Sequence, residues 1–367
     1  MSMPVNKQAQ DPKLEARQIR GNSQHLFRVL HFLLAGAIHS AWHSLKNYMR
    51  PLLGRPTCFD EHGLFLRQFV LHVTGLRPIR QLTCTGLPSE GAGSQALMVM
   101  NAINFARSFG LSYLQSPFTT IQHAERPMND WAAAWEMLFN LGADELACEI
   151  DRRDVANFSY NYFDLDLCFG WRSHWDQLAD RFKAMIPEFR RKYYLNKSPR
   201  TTGELTVAVH VRRGDVSADN PAYFTSNYTI LRTITEVKSI LDAHKVAYNI
   251  RVYSQGEEAD FSELSLPEVE LFLNVDAIWT MQELIEADVL IMAKGCFSYY
   301  AALISDGIRI FEPEKLAGED RLPGWKWRSA PLSDCWIPSR ADGSFHQAAF
   351  ENQLLLLVRA KAVPAKD

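Results

Sequence analysis

The sequence predicts an α/β protein of two domains behind a helical appendage, and three observations carry that prediction. A chain of 367 residues is longer than one hydrophobic core usually serves, because cores stop growing at about 250–300 residues. After residue 204, short apolar runs alternate with helix-length segments, the pattern of parallel strands joined by right-handed crossovers. Before it, the stretch from Ile79 to Gly110 reads as strand, glycine-containing loop and buried helix. An apolar fraction of 47% with 22% charged residues fits a globular chain and excludes a disordered, collagen-like or coiled-coil one. Thirty-nine Lys and Arg against 42 Asp and Glu leave a net charge of −3, so no general positive field holds a nucleic-acid backbone. Any anion site must be local.

Residues 1–75 read as a polar tail followed by a helical appendage. Within it, Leu26 to Trp42 (LFRVLHFLLAGAIHSAW) is too short for a span of about 20 residues and contains Arg28, His31 and His39. It has no small-residue cleavage site after it, so it is not read as a signal peptide. Two readings stay open: a helix packed on a domain or partner, or an amphipathic helix on a membrane surface. In the second, Arg20, Arg28, Lys46 and Arg50 meet anionic headgroups and residues 26–50 make a peripheral membrane contact.

Residues 76–200 form the first domain. IRQLTCTG is a strand, GLPSEGAGS a loop, and QALMVMNAINFARSFG a helix apolar on more than one face; LSYLQS is the next strand, followed by the loop PFTTIQHAERP and a helix over 129–141. A charged helix occupies HWDQLADRFKAMIPEFRRKYYL. NKSPRTTGE, 196–204, carries Pro and Gly between ordered stretches and is the best linker. The second domain, 201–367, runs through strands TVAVHV, AYNIRVYS, ELFLNV, DVLIMA and IRIFEP, with helices at 230–241, 278–286 and 297–305, and ends in a helical segment. Cysteines 58, 84, 148, 168, 296 and 335 show no CxxC pair or metal-ligand spacing; they read as buried thiols of a reducing compartment, which implies a cytoplasmic location.

Ligands of doubly wound sheets sit beyond the carboxyl ends of the strands. The first such end is His210-Val211-Arg212-Arg213-Gly214-Asp215. Adjacent arginines there offer forked donors for phosphate oxygens, Gly214 allows a tight turn and Asp215 can fix an arginine in place. The same residues also read as an exposed turn with an internal ion pair, worth about 0–1 kcal/mol. Later strand ends weigh toward a site. Ser254-Gln255-Gly256, then Asn274 and Asp276, then Lys294-Gly295-Cys296-Phe297-Ser298 bring small and hydrogen-bonding groups to the same edge. A helix starting near Ser298 aims free N–H groups there as well.

HVRRGD resembles the HxRRxD motif of the α1,2-, α1,6- and protein O-fucosyltransferase superfamily. Three further stretches fall in the same order. Glu90-Gly91-Ala92-Gly93-Ser94-Gln95 resembles the N-terminal Gly-rich motif, VYSQG the third-strand motif and ADVLIMAKGCFSYYAALISDG the last motif. The resemblance spans roughly 80–315 and implies a GT-B fold, two Rossmann-like domains facing a cleft, with GDP-fucose as donor. It places Arg212 on the diphosphate with Arg213 assisting, and His210 beside the nucleotide. Ser298 or Tyr299 falls at the phosphate-contacting position, Thr280 near the nucleoside, and Gly91 and Gly93 on the donor side with Asp215 and Ser254. The chain departs from the family where Tyr299 and Tyr300 follow Ser298.

Arginine can stabilise a leaving diphosphate without a metal. Asp164-Leu165-Asp166 matches a DxD pattern but lies in the other half and reads as a turn or structural pair, so no metal and no cofactor are expected. The family's chemistry implies inversion at the anomeric carbon. Glu90 resembles the base position of some protein O-fucosyltransferases; Asp215 and Asp219 are alternatives, and His123 is an acceptor-side candidate. Trp131, Trp135 and Phe139 recur at helical spacing and read as a core stripe. The expected partners are a nucleotide sugar and a glycan or other hydroxyl acceptor. Two other readings keep the fold: a different nucleotide sugar as donor, or a catalytically silent, membrane-associated scaffold. Acceptor and linkage have no sequence code.

Overall fold

A computed structural model describes residues 71–72, 74–148, 155–159, 165, 168–197, 204–314 and 322–362. The segment 26–50, most of the linker 196–204, Cys58 and the Asp164/Asp166 pair lie outside the described residues. Described residues up to Ile79, with 165, 168 and 169, belong to one compact unit; in it Ile79 donates its N–H to His72 Nδ1 at 3.1 Å. Those from Arg80 onward otherwise form a second unit, which contains both sheets. Among the described residues no helix is long and apolar enough to cross a membrane.

The N-terminal half runs β1 (Gln81–Cys84), α1 (Ala92–Ser108), β2 (Ser112–Gln115), α2 (Met128–Phe139), β3 (Leu146–Ala147) and β4 (Ala156–Asn157), then α3 (Trp175–Tyr194). Its sheet has the order β3-β2-β1-β4 and every pairing is parallel. Helix α1 is buried without a break from Ala92 to Ala106, which explains its lack of a polar face. Two of its buried amides tie it to later segments: Asn101 Oδ1 accepts from Gly324 N at 2.8 Å and Asn104 Nδ2 donates to Leu178 O at 3.0 Å.

The C-terminal half runs β5 (Leu205–His210), α4 (Asn227–Ala243), β6 (Tyr248–Ser254), β7 (Val269–Leu273), α5 (Ala277–Glu286), β8 (Val289–Ile291), α6 (Cys296–Ile304), β9 (Ile308–Phe311), β10 (Trp336–Pro338) and α7 (Gln347–Ala362). The sheet is again all parallel, in the order β10-β9-β8-β5-β6-β7. Counted within this half the order is 3-2-1-4-5-6, that of dinucleotide-binding α/β folds, whose direction reverses between the first and fourth strands. Here the reversal falls between β5 and β8. The fold is therefore α/β with two Rossmann-like halves, as the sequence predicts. Val207, Val209, Ile250, Val252 and Val289, all inaccessible to solvent, pack with Ile234 and Val237 of α4 as its core. Ser226 caps α4 by accepting from Thr229 N at 3.1 Å.

Several contacts join the halves. Helix α1 crosses α6 so closely that a Cβ on Gly93 would stand 2.6 Å from Cys296 O and 2.8 Å from Phe297 N. The aromatic stripe of α2 is core, as expected: Trp131, Trp135 and Phe139 are buried. Trp135 meets Phe297 edge-on at 6.2 Å and Phe139 meets Tyr300 at 4.4 Å. Arg190 of α3 adds N–H bonds to Leu303 O (3.1 Å) and Ser305 O (2.6 Å) at the carboxyl end of α6, where a cation suits the helix dipole. One expectation needs correction. Of the described cysteines only Cys84 is fully buried; Cys148, Cys168, Cys296 and Cys335 are partly accessible, because none sits in a strand or on a helix face turned fully inward.

Replacing Gly93 by Ala should lower stability by about 1–3 kcal/mol, since the added methyl meets backbone rather than a side chain that could turn aside. A Cβ at Gly91 meets nothing within 4 Å, so Gly91→Ala should cost less than about 1 kcal/mol. Urea unfolding of the pair measures the difference; equal losses would contradict the close crossing.

Candidate functional site

The crevice at the reversal point is built from the residues that follow β5 and β8. Beyond His210 the chain leaves the sheet, and successive side chains of an extended segment point to opposite sides. Arg212 turns into the crevice. Its Nε and Nη2 donate to the two carboxylate oxygens of Asp215 at 3.2 and 2.7 Å, a forked pairing that fixes the guanidinium plane. Tyr223 stands 5.1 Å under the same group. Nη1 is left with a long 3.4 Å contact to Lys294 O, at the end of β8.

Gly295 makes that approach feasible. It has φ of +132°, and a Cβ there would lie 2.6 Å from Arg212 Nη1. Gly214, at φ +80°, lets the arginine loop turn sharply beside Gln255. Lys294 itself pairs with Glu312, beyond β9, at 2.9 Å.

Arg213 behaves differently from its neighbour. Its donors go to Arg212 O (2.9 Å), Thr225 O (2.9 Å) and Asn227 Oδ1 (2.8 Å), and Phe224 lies 4.3 Å from its guanidinium carbon. It ties the loop to the start of α4 while lining the same pocket as His210 and Arg212.

His210 Nδ1 is hydrogen-bonded to Ser298 Oγ, which also accepts from Ala293 N at 3.1 Å. The arrangement is satisfied by a serine proton donated to Nδ1 and a neutral imidazole protonated at Nε2. Burial, then the charge of Arg212, pushes the His210 pKa down to about 4. The ring packs against Phe297 at 5.2 Å. Ser298 is thereby the support of His210 and is itself buried.

Tyr299 is a correction. One residue along a helix turns the side chain by about 100°, and Tyr299 points into the core, where its hydroxyl donates to Gly324 O at 2.8 Å. Two other expected contacts are engaged locally: Ser254 Oγ donates to Val211 O at 2.7 Å, and Thr280 Oγ1 donates to Asp276 O at 3.0 Å within its own helix. Both shape the edge of the crevice.

From the N-terminal half come the glycine loop and the loop 117–127. Gly91 opens onto free space, whereas Gly93 is the helix contact described above. Glu90 lies near enough to Cys296 for its charge to help raise that thiol's pKa, although burial is the larger cause. Gln95, buried, donates to Glu90 O at 2.9 Å and to Thr120 O at 2.7 Å and so splints the two loops together. His123, in the loop 117–127, is exposed with φ +58°. The hydrogen bond from Arg212 is the main cause that holds the Asp215 carboxyl below the usual carboxylate range, with His123 a minor one.

Sequence reasoning missed Gln95 as a splint and the pair Glu125 and Arg126. Asp276, named as a strand-end residue, also caps α5 by accepting from Trp279 N at 2.8 Å, a role signalled by an Asp immediately before an apolar helix. Among the described residues no three His, Cys, Asp or Glu side chains are grouped to hold a metal ion.

No protein-family model matches the chain and no curated protein does. Solved structures that resemble it include a fucosyltransferase NodZ from Bradyrhizobium, 13% identical over 62% of this chain and 94% of that one, with a TM-score of 0.34. POFUT1 in complex with GDP-fucose is 14% identical over 62% of this chain and 94% of that one, at 0.35. The E. coli heptosyltransferase WaaC with ADP is 11% identical over 77% and 100%, also at 0.35. Likenesses of this size carry no inference about donor, acceptor or reaction.

The folded pKa of His210 lies below its unfolded value near 6.5, so the stability that neutral His210 contributes is complete above pH 6.5 and is lost as pH falls toward about 4. The difference in unfolding free energy between the wild type and His210→Gln should shrink across that interval. A difference that stays constant from pH 7 to pH 4 would sink the assignment.

Proposed function

We propose that the chain is a metal-independent, inverting glycosyltransferase of the GT-B type that takes fucose from GDP-fucose to a hydroxyl acceptor such as a glycan. The observation that carries this reading is Arg212. It stands at the reversal point of a 3-2-1-4-5-6 parallel sheet, oriented by Asp215, with Nη1 facing Gly295 at the amino end of α6. A guanidinium and the first N–H groups of a helix are both suited to a diphosphate. The choice of GDP-fucose rests on the likeness of HVRRGD and the three ordered motifs to the fucosyltransferase pattern.

In the proposed reaction the bond between the anomeric carbon and the diphosphate oxygen breaks, and its electron pair leaves on the diphosphate. The acceptor oxygen forms the new bond from the opposite face, which inverts the centre. Its proton passes to a base on the N-terminal side. Glu90 is the proposed base, in the glycine loop, and His123 faces the acceptor. Arg212 stabilises the developing charge, replacing its long contact to Lys294 O with a phosphate oxygen. His210, neutral, hydrogen-bonds from Nε2 without adding a second fixed positive charge.

Thermal stabilisation by a panel of nucleoside diphosphates tests the donor. GDP should stabilise the wild type at micromolar concentration, and Arg212→Ala should lose at least about tenfold in affinity, the scale of a charge-assisted pair. Stabilisation by UDP or ADP but not GDP transfers the reading to another nucleotide sugar, and no stabilisation by any of them leaves only a silent scaffold. With GDP-fucose and an acceptor library, Glu90→Gln should lower kcat by about 100-fold while leaving GDP affinity unchanged, and a metal chelator should leave the rate unaltered.

A further inference from the structure

The loop 117–127 reaches from the end of β2 to the start of α2, and its two ends are held by different halves. On the N-terminal side Phe118 N donates to Glu136 Oε2 at 3.1 Å, Ile121 is fully buried, and Gln122 N donates to Glu90 O at 3.2 Å. Three residues later the loop grips the other half. Glu125 Oε2 accepts from Ala277 N, the first residue of α5, at 3.2 Å. Arg126 Nη2 pairs with Asp276, the residue that caps the same helix, and its guanidinium carbon lies 5.3 Å over the ring of Trp131. Between these anchors stands His123, in the left-handed conformation that non-glycine residues adopt only when their surroundings hold them there.

We propose that Glu125 and Arg126 are positioning residues: they clasp the amino end of α5 and thereby hold His123 at the acceptor-side mouth of the Arg212–Asp215 crevice. The chemistry of the clasp fits a contact that opens and recloses. Arg126 and Asp276 are 38% and 42% exposed, and a pair so accessible is weak by itself and weakened further by salt. Trp131 pre-orients the guanidinium from within the N-terminal half, so that Arg126 need not be ordered anew at each closure. Glu125 places its negative charge at the positive end of the α5 dipole. The clasp uses no atom of the Arg212 site, so opening it admits an acceptor without disturbing the donor. Its consequence for transfer rests on the glycosyltransferase reading; its existence as a latch does not.

Hydrogen exchange of the full chain, followed by mass spectrometry, tests the latch directly. In Arg126→Ala, exchange over 117–127 should rise about tenfold while exchange beyond Trp279 in α5 stays at the wild-type value. Asp276→Asn keeps an N-cap oxygen for Trp279 N–H but removes the charge, and it should loosen the same loop with α5 intact. Arg126→Lys should restore most of the protection, and Arg232→Ala, which breaks an exposed pair with Asp342 elsewhere, should leave the loop unchanged. Equal loop exchange in wild type and Arg126→Ala overturns the latch. In transfer assays Arg126→Ala should lower kcat about tenfold with GDP affinity unchanged. A loosened loop with unaltered transfer kinetics overturns the positioning role. Failure of the wild type to bind any nucleotide sinks the reaction reading alone, and the exchange data then still decide the latch.

Discussion

The absence of a side chain at Gly93 is the constraint on which the rest of the crevice depends. Because α1 touches the backbone of α6 at Cys296, the glycine loop of one half and the helix amino end of the other reach the same edge. A methyl at that position would force the two helices apart. Contacts made between the halves, such as Trp135 with Phe297 and Glu125 with Ala277 N, would be displaced with them. Packed interiors accommodate such a change by shifting whole elements rather than by local compression.

Strands β5 to β9 of the C-terminal half were legible because each is a short apolar run closed by a turn signal. β3, β4 and β10 were not, since two or three residues cannot show a period. The stripe of Trp131, Trp135 and Phe139 could be read from spacing, but not the fact that it faces Phe297 and Tyr300, which lie about 160 residues away. At the site, the motif marked a segment and left its geometry open. Arg212 and Arg213 are the same residue type in adjacent positions, yet one pairs with Asp215 and the other with Thr225 and Asn227. The same holds for Ser298 and Tyr299. Glu125 and Arg126 carry no signal at all, because an ion pair between a loop and a distant helix leaves no local pattern.

The near-zero net charge is reproduced within the crevice. Arg212 is matched by Asp215 and Lys294 by Glu312, so the cations that could meet an anion are already oriented and partly neutralised. Such pairing lowers the long-range pull on any polyanion. It also raises the demand on geometry, because a ligand must offer oxygens where the carboxylates leave donors unused. The burial that keeps His210 neutral acts in the same direction, since a further fixed charge there would favour anions of any shape.

Helix α1 also has a consequence for how the chain is made. It is buried from Ala92 to Ala106, and part of its cover, including the amide of Gly324 bonded to Asn101, lies 223 residues later. At a synthesis rate of 5–20 residues per second, that cover follows roughly 10–45 s after α1 leaves the ribosome. During that interval an apolar helix stands without part of its cover, and Asn101 Oδ1 without the Gly324 N–H. The N-terminal half therefore has no finished state of its own, and its yield in a cell should depend on how quickly translation reaches the far end of the other half.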